Sequence, residues 1–363
     1  MSGDEHNDYL WDRSGPVDPE IARLERLLRP HGHDGRAFHG GAAASPTRVA
    51  RSPRPRWRIA FAAAAVLGLC TIGLNAWYRH RLQWEPGRPW QVIAQRGEVK
   101  MSGANGRAPH AFPLQGTLQT GGDGMVRLRA ARIGEIALDR NSQLRLVESR
   151  TGRHRLQLQQ GRMWARVWAP PGQFGVGLRG ADVLDLGCEF IVQSDAGGNG
   201  ALTVRSGWVQ VDNGWDEVLV PEGATVRLHG DRAPGTPRDM GATPQFVAAL
   251  DAIDARGADV DPRGEELRRL IAASRTGDAI SLVSLVRRNP RLAEGPLYER
   301  IVQVLPRAGL VTRADLRRRG AVALGPWWDA LPYPRIKSWW MQWPDVLPAR
   351  DRGPAWLQAE ADG

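Results

Sequence analysis

Apolar and polar positions along the chain change period three times. In Asp8 to Leu28, DYLWDRSGPVDPEIARLERLL, the residues Ile21, Leu24, Leu27 and Leu28 recur at helical spacing, with Arg23, Glu25, Arg26 and Arg29 opposite. Asp18 is the expected N-cap, with Pro19 at the first helical position and Glu20 in the first turn. Ile59 to Tyr78, IAFAAAAVLGLCTIGLNAWY, carries no charge at all. From Trp90 to Leu228 short runs alternate with period two between Gly-rich turns, among them Val126-Arg127-Leu128, Arg155 to Gln159, Met163 to Val167 and Trp208 to Val211. That pattern predicts an exported all-β domain over 90–229, a sandwich or roll of short antiparallel strands. After the Gly/Pro stretch Gly230 to Gly241, helical spacing returns in Gln245–Arg256, Glu265–Thr276, Ala279–Arg288 and Leu297–Leu305. An α-helical C-terminal domain is expected over 242–346, followed by a tail, 347–363.

The uncharged run decides the overall organisation. As a helix it reaches ~30 Å, the thickness of bilayer hydrocarbon. Arg48, Arg51, Arg54, Arg56 and Arg58 precede it, against Arg79, Arg81 and Arg88 after it, which predicts a cytoplasmic N-terminus. Trp57, Trp77 and Tyr78 stand where amphipathic rings favour lipid headgroups. A cleaved signal peptide would begin near Met1, and a core helix would show a polar face, so the run reads as a single transmembrane helix, 59–78. Residues 1–34 then form a short cytoplasmic helical segment. One amphipathic helix cannot bury its own stripe, so Tyr9, Leu10, Trp11, Ile21, Leu24 and Leu28 are the candidate partner-binding residues. A flexible basic linker, 35–58, leads to the membrane.

Charge adds little to this picture. All but Lys100 and Lys337 of the 49 basic residues are Arg, and the net charge is +10. Basic residues outnumber acidic ones 10 to 8 before the apolar run and 39 to 31 after it, without one concentrated block, which argues against a nucleic-acid surface. Cys70 lies in the predicted span and Cys188 beyond it, so no disulfide framework is expected. His31, His33, Asp34 and His39 cluster with no Cys nearby, and read as solvated linker instead of a metal site. Gly175, Gly177 and Gly180 spell the dinucleotide fingerprint, but strand-like alternation follows where a helix should open, so no cofactor is expected. No nucleophile turn, zinc-protease pair or phosphate loop occurs, and no catalytic residue is assigned. Asp182 and Asp185, three apart on a strand, should face opposite sides.

A resemblance is carried by Gly116 to Gly124, Ile136-Ala137-Leu138 with Ser142 to Leu146, and Gly161 before a strand. It continues through Gly187-Cys188-Glu189-Phe190, Val204 to Val211 and Val220-Pro221-Glu222-Gly223. Over about 140 residues these motifs resemble the exported domain of FecR-type regulators of extracytoplasmic-function sigma factors. Cys188 departs from the pattern, which has Thr there, and a poorer hydrogen-bonding side chain should hold that turn less firmly. The resemblance implies a bacterial inner-membrane protein without enzymatic activity, its N-terminus cytoplasmic and its C-terminal part periplasmic. It also implies partners: an alternative sigma factor inside, and outside the periplasmic signalling domain of an outer-membrane transducer or another envelope protein. More weakly, Leu297 to Ile301, Val311 to Arg313 and Trp327 to Leu331 resemble a helical extension of some such proteins. Trp339, Trp340 and Trp343 read as core or docking residues. A non-signalling envelope protein binding cell-wall glycan or a neighbouring protein is the alternative.

Overall fold

The computed structural model describes residues 19–29, 68–77, 80, 82–103, 110–308 and 310–333. The chain divides into two units, Met1–Leu67 and Gly68–Gly363. In the first, α1 (Pro19–Leu28) starts at the proline, whose fixed φ suits a first turn and whose missing N–H is not needed there. Glu20 in the first turn and Arg26 in the last oppose the helix dipole favourably. No residue of α1 is buried.

The second unit opens on residues 68–77, which are helical and mostly exposed. They are the described part of the predicted span; the rest, 59–67 and Tyr78, lies outside the described residues. Among the described residues no helix is long and apolar enough to cross a membrane.

Among the described residues, fourteen strands follow in one sheet. They are β1 (Trp90–Arg96), β2 (Val99–Ser102), β3 (Ala111–Phe112), β4 (Thr117–Thr120), β5 (Met125–Ala130), β6 (Gly134–Leu138) and β7 (Gln143–Arg150). Then come β8 (Arg153–Val167), β9 (Phe174–Leu178), β10 (Ala181–Ser194), β11 (Gly200–Asp212), β12 (Glu217–Pro221), β13 (Ala224–Leu228) and β14 (Arg238–Asp239). Two expectations need correction. Strand β9 runs parallel to β8, from His154↔Phe174 to Gln157↔Gly177, so the sheet is mixed. And β8, β10 and β11, of 15, 14 and 13 residues, are not short.

Each long strand changes partners partway. The first part of β8 pairs with β7 and β9, the rest, from Gly161 on, with β6 and β10. Strand β10 leaves β9 for β8 across an irregularity between Asp185 and Cys188, opposite Gly207 of β11. At these places the inward-facing parity slips by one. In β8 it passes from His154, Leu156 and Leu158 to Met163, Ala165 and Val167. In β10 it passes from Ala181, Val183 and Asp185 to Cys188, Phe190 and Val192. A bulge supplies such a slip while bending the strand, so both halves of one strand face a single core. Gly207 permits the bulge at the β10–β11 crossing: its φ is +80°, and a Cβ there would overlap the Gly187 carbonyl oxygen.

A helical region follows: α2 (Pro244–Arg256), α3 (Glu265–Ala273), α4 (Ala279–Arg288), α5 (Leu297–Val304), α6 (Arg313–Arg319) and α7 (Gly325–Ala330). Thr243 caps α2 by accepting from the Phe246 amide at 3.2 Å, and Thr312 caps α6 by accepting from Asp315 at 3.0 Å. Phe246, Leu250, Leu267, Leu270, Leu282, Leu297, Ile301 and Trp327 fill a second core. Trp339, Trp340 and Trp343 lie outside the described residues.

The Gly/Pro stretch between the two regions is a strap held by arginines. Arg288 of α4 donates to the Pro234 carbonyl at 2.8 Å and pairs with Asp216 at 3.0 Å and Asp254 at 3.5 Å. Thr236 is bound to the same Asp254 through both its amide and its hydroxyl, at 2.7 and 2.5 Å. Arg287 donates to the Glu217 carbonyl at 2.8 Å, and the buried Ser281 hydroxyl to Pro237 at 2.8 Å. Arg288→Met keeps the aliphatic stem but strips the donors from two carboxylates and a carbonyl. A loss of about 1.5–3 kcal/mol is expected, read as a lower urea midpoint with faster tryptic cleavage after Arg232.

Candidate functional site

The predicted partner-binding residues divide into two sets. Tyr9, Leu10 and Trp11 lie outside the described residues. Ile21, Leu24 and Leu28 are brought together on α1: spacings of three and four place them along one face, where Leu24, Leu27 and Leu28 are 57–64% exposed. Arg26 turns back to the Ala22 carbonyl at 3.2 Å. The outcome is an apolar stripe at least three residues long on a charged helix, available for a groove on another protein.

Within the β region, chemistry concentrates at the β10–β11 bulge. Asp185 faces the core, fully buried, and accepts from the Gly187 amide at 3.1 Å and from the Cys188 thiol. Burial pushes its carboxyl up to about 8, against the opposing pull of those hydrogen bonds. The Cys188 thiol is likewise pushed up, by burial first and by Asp185 second, so it is not a reactive thiolate. The turn is thus held by a carboxyl that reaches forward, to the Gly187 amide and the Cys188 thiol. Asp182, by contrast, is exposed on the other side, as alternation requires.

On the outer face Glu189 is 3% exposed and is met from three sides. Trp164 Nε1 donates to it at 2.9 Å, Arg205 lies at 3.4 Å and Arg166 at 3.9 Å. Across β6, Glu135 pairs with Arg127 and, at 3.0 Å, with Arg129. Register explains the arrangement: Glu135 stands opposite Arg166, and Arg166 opposite Glu189, so opposite charges alternate across three strands. Sequence reasoning missed this ladder. The alternating arginines of β5 and β8 are its only signal, and they do not disclose which strands are neighbours.

Gly175 and Gly177 pair with Leu184 and Asp182 in the β9–β10 hairpin, so the fingerprint-like glycines serve close strand approach. Among the described residues no group of His, Cys, Asp or Glu is arranged to hold a metal ion. Besides a depression of about 370 Å³ beside Tyr298, Val302 and Trp327, two more lie on the helical side among the described residues. One, of about 690 Å³ between α2 and α3, is floored by Ala248, Ala249, Ala252 and Ala272. The other, of about 270 Å³, lies between β12 and α4 beside Arg287 and Arg288.

No protein-family model and no curated protein matches the chain. Among solved structures it is similar to two crystal structures of a candidate anti-sigma factor from Parabacteroides distasonis ATCC 8503, at 1.65 and 2.50 Å resolution. Both are 18% identical with a TM-score of 0.30, over 37% of this chain. The chain spans 63% and 62% of the length of those two structures.

Proposed function

We propose that this protein is a single-pass inner-membrane regulator of an alternative sigma factor, without catalytic activity. Its N-terminal segment docks on the sigma factor in the cytoplasm, and its β roll binds an envelope protein in the periplasm, such as the signalling domain of an outer-membrane transducer. The observation that carries this reading is α1: an apolar stripe more than half exposed on a helix that buries nothing of its own. The uncharged run from Ile59 to Tyr78 and the FecR-like motifs of the β roll, in that order along the chain, support the same assignment.

Binding should depend on the stripe. Leu24→Ala and Trp11→Ala should each weaken capture of the sigma factor by roughly tenfold or more, as for buried interface anchors worth ~1–3 kcal/mol. Arg23→Ala, on the polar side, is the control and should change little. A periplasm-only reporter placed after Gly363 should be active, and the same reporter at Gly40 silent. Full-strength capture by both stripe variants would remove the output end and favour a structural envelope protein; an active reporter at Gly40 would invert the topology.

A further inference from the structure

The end of the β roll that receives the chain from the helical residues 68–77 is unusually tightly held. His80 accepts from Arg132 Nη1 at 3.4 Å. Trp84 and Thr151 share three hydrogen bonds: the Trp84 amide donates to Thr151 Oγ1 at 2.8 Å, and the Thr151 amide and hydroxyl both donate to the Trp84 carbonyl, at 3.1 and 3.2 Å. Leu82 and Trp84 are buried in the sheet core. Arg88 lies over the Trp84 ring at 4.7 Å, and Trp84 Nε1 donates to its carbonyl at 3.1 Å. His80 and Leu82 are themselves helical, so the sheet grips the chain at helical residues and again at Trp84.

The turns used for this attachment are basic. Arg132 sits in the β5–β6 turn; Arg150 and Arg153 flank the β7–β8 turn, with side chains 54% and 51% exposed. With the exposed Arg88 these make four guanidinium groups on one end of the roll. Two carboxylates oppose them, Glu85 and Glu148, the latter holding Arg150 and Arg153 at 2.7 Å each. Guanidinium forks match phosphate geometry, and a basic cluster beside a membrane helix gains from an anionic surface over about a Debye length.

We infer that this end of the roll, built from the β5–β6 turn, the β7–β8 turn, His80 and residues 82–88, seats on the phosphate headgroups of an anionic bilayer. The inference rests on the membrane-spanning reading proposed above. It adds that the exported domain docks on the lipid surface in its own right, and does not simply hang from the helix.

The test uses the full chain in vesicles of phosphatidylcholine alone or mixed with phosphatidylglycerol. In a Cys70→Ser background, with Cys188 buried and unreactive, Pro86→Cys carries a fluorophore on the exposed loop between Trp84 and Arg88. A spin label on the lipid headgroup then reports contact by quenching. Quenching should be strong with phosphatidylglycerol, weaker without it, and reduced by added salt. Combining Arg88→Gln with Arg132→Gln should lower the seated fraction on the order of tenfold. The lipid and salt comparisons need no change to these arginines, so they stand even where the double variant folds poorly. A chain that floats with vesicles but is quenched equally in both lipids and at all salt concentrations overturns the seat alone. One that does not float with vesicles overturns the span and the seat together.

Discussion

Asp185→Asn should change the pH dependence of stability more than its level at any one pH. In the folded chain this carboxyl is pushed up to about 8, while an unfolded Asp titrates near ~3.9. Between those values the folded state keeps a proton that the unfolded state has released. Stability contributed by this group is therefore present at low pH and falls by about 1.4 kcal/mol per pH unit as pH rises toward 8. His154 acts in the opposite sense over part of the range. It is fully buried, its Nδ1 3.1 Å from the Ser149 hydroxyl that also accepts from Trp90. Burial, then Arg155, lowers it from 6.5 to about 4. Between those values the unfolded state takes up a proton that the folded state refuses, so stability rises with pH. The two slopes oppose each other up to pH 6.5, and above it only the Asp185 slope remains. Wild type should thus be nearly flat over the lower window and lose stability between pH 6.5 and 8. The Asn variant should rise through the lower window and then hold level. Urea midpoints measured across the range separate the cases, and parallel curves for the two proteins would refute the assignment.

Gly207→Val should abolish folding of the β roll. A β-branched residue at φ +80° is strained to begin with, and its Cβ would also overlap the Gly187 carbonyl at the β10–β11 bulge. Neither strand can move away cheaply, because β10 and β11 are paired along nearly their whole length. The combined cost should exceed ~3 kcal/mol, a large part of a typical domain's stability. Gly214→Ala isolates the conformational part. It also has positive φ, +92°, but open space where a Cβ would stand, so it should cost only ~1–2 kcal/mol. Circular dichroism and soluble yield report both. A folded Gly207→Val protein with a near-normal melt would show that the bulge is not needed at that point.

The alternation of the β region was legible residue by residue, but its strand lengths were not. Arg155 to Gln159 and Met163 to Val167 read as two strands because the inward parity slips between them; in space they are one strand of 15 residues bent at Gly161. The same slip divides β10 around Asp185 and Cys188, and period-two counting cannot see through it. The parallel contact of β8 with β9 was hidden for another reason: it joins residues twenty apart, with no helix between them to announce a crossover. Helices were read well where stripes were strong, Ala279–Arg288 to the residue. Glu265–Thr276 was drawn too long, since Ser274 turns out of the helix and its hydroxyl donates back to the Ile271 carbonyl. On α1 the stripe was legible because nothing within the helix competes for it. The Arg288 joint was not legible, because its partners Asp216, Pro234 and Asp254 are brought together only by the fold.

The attachment of Trp84, two residues past the helical Leu82, also fixes a working radius. An extended chain covers at most ~3.3–3.6 Å per residue, so while Trp84 stays bound its two-residue link to Leu82 spans at most ~7 Å. Were the Trp84–Thr151 bonds and the seat of Leu82 to give way, the next fixed point is Trp90, whose indole donates to Ser149 at 2.8 Å. The tether from Leu82 would then lengthen to ~28 Å in one step. A ligand that could not reach the β region in the first state would reach it in the second, so one small detachment at Trp84 can set which partners lie within range.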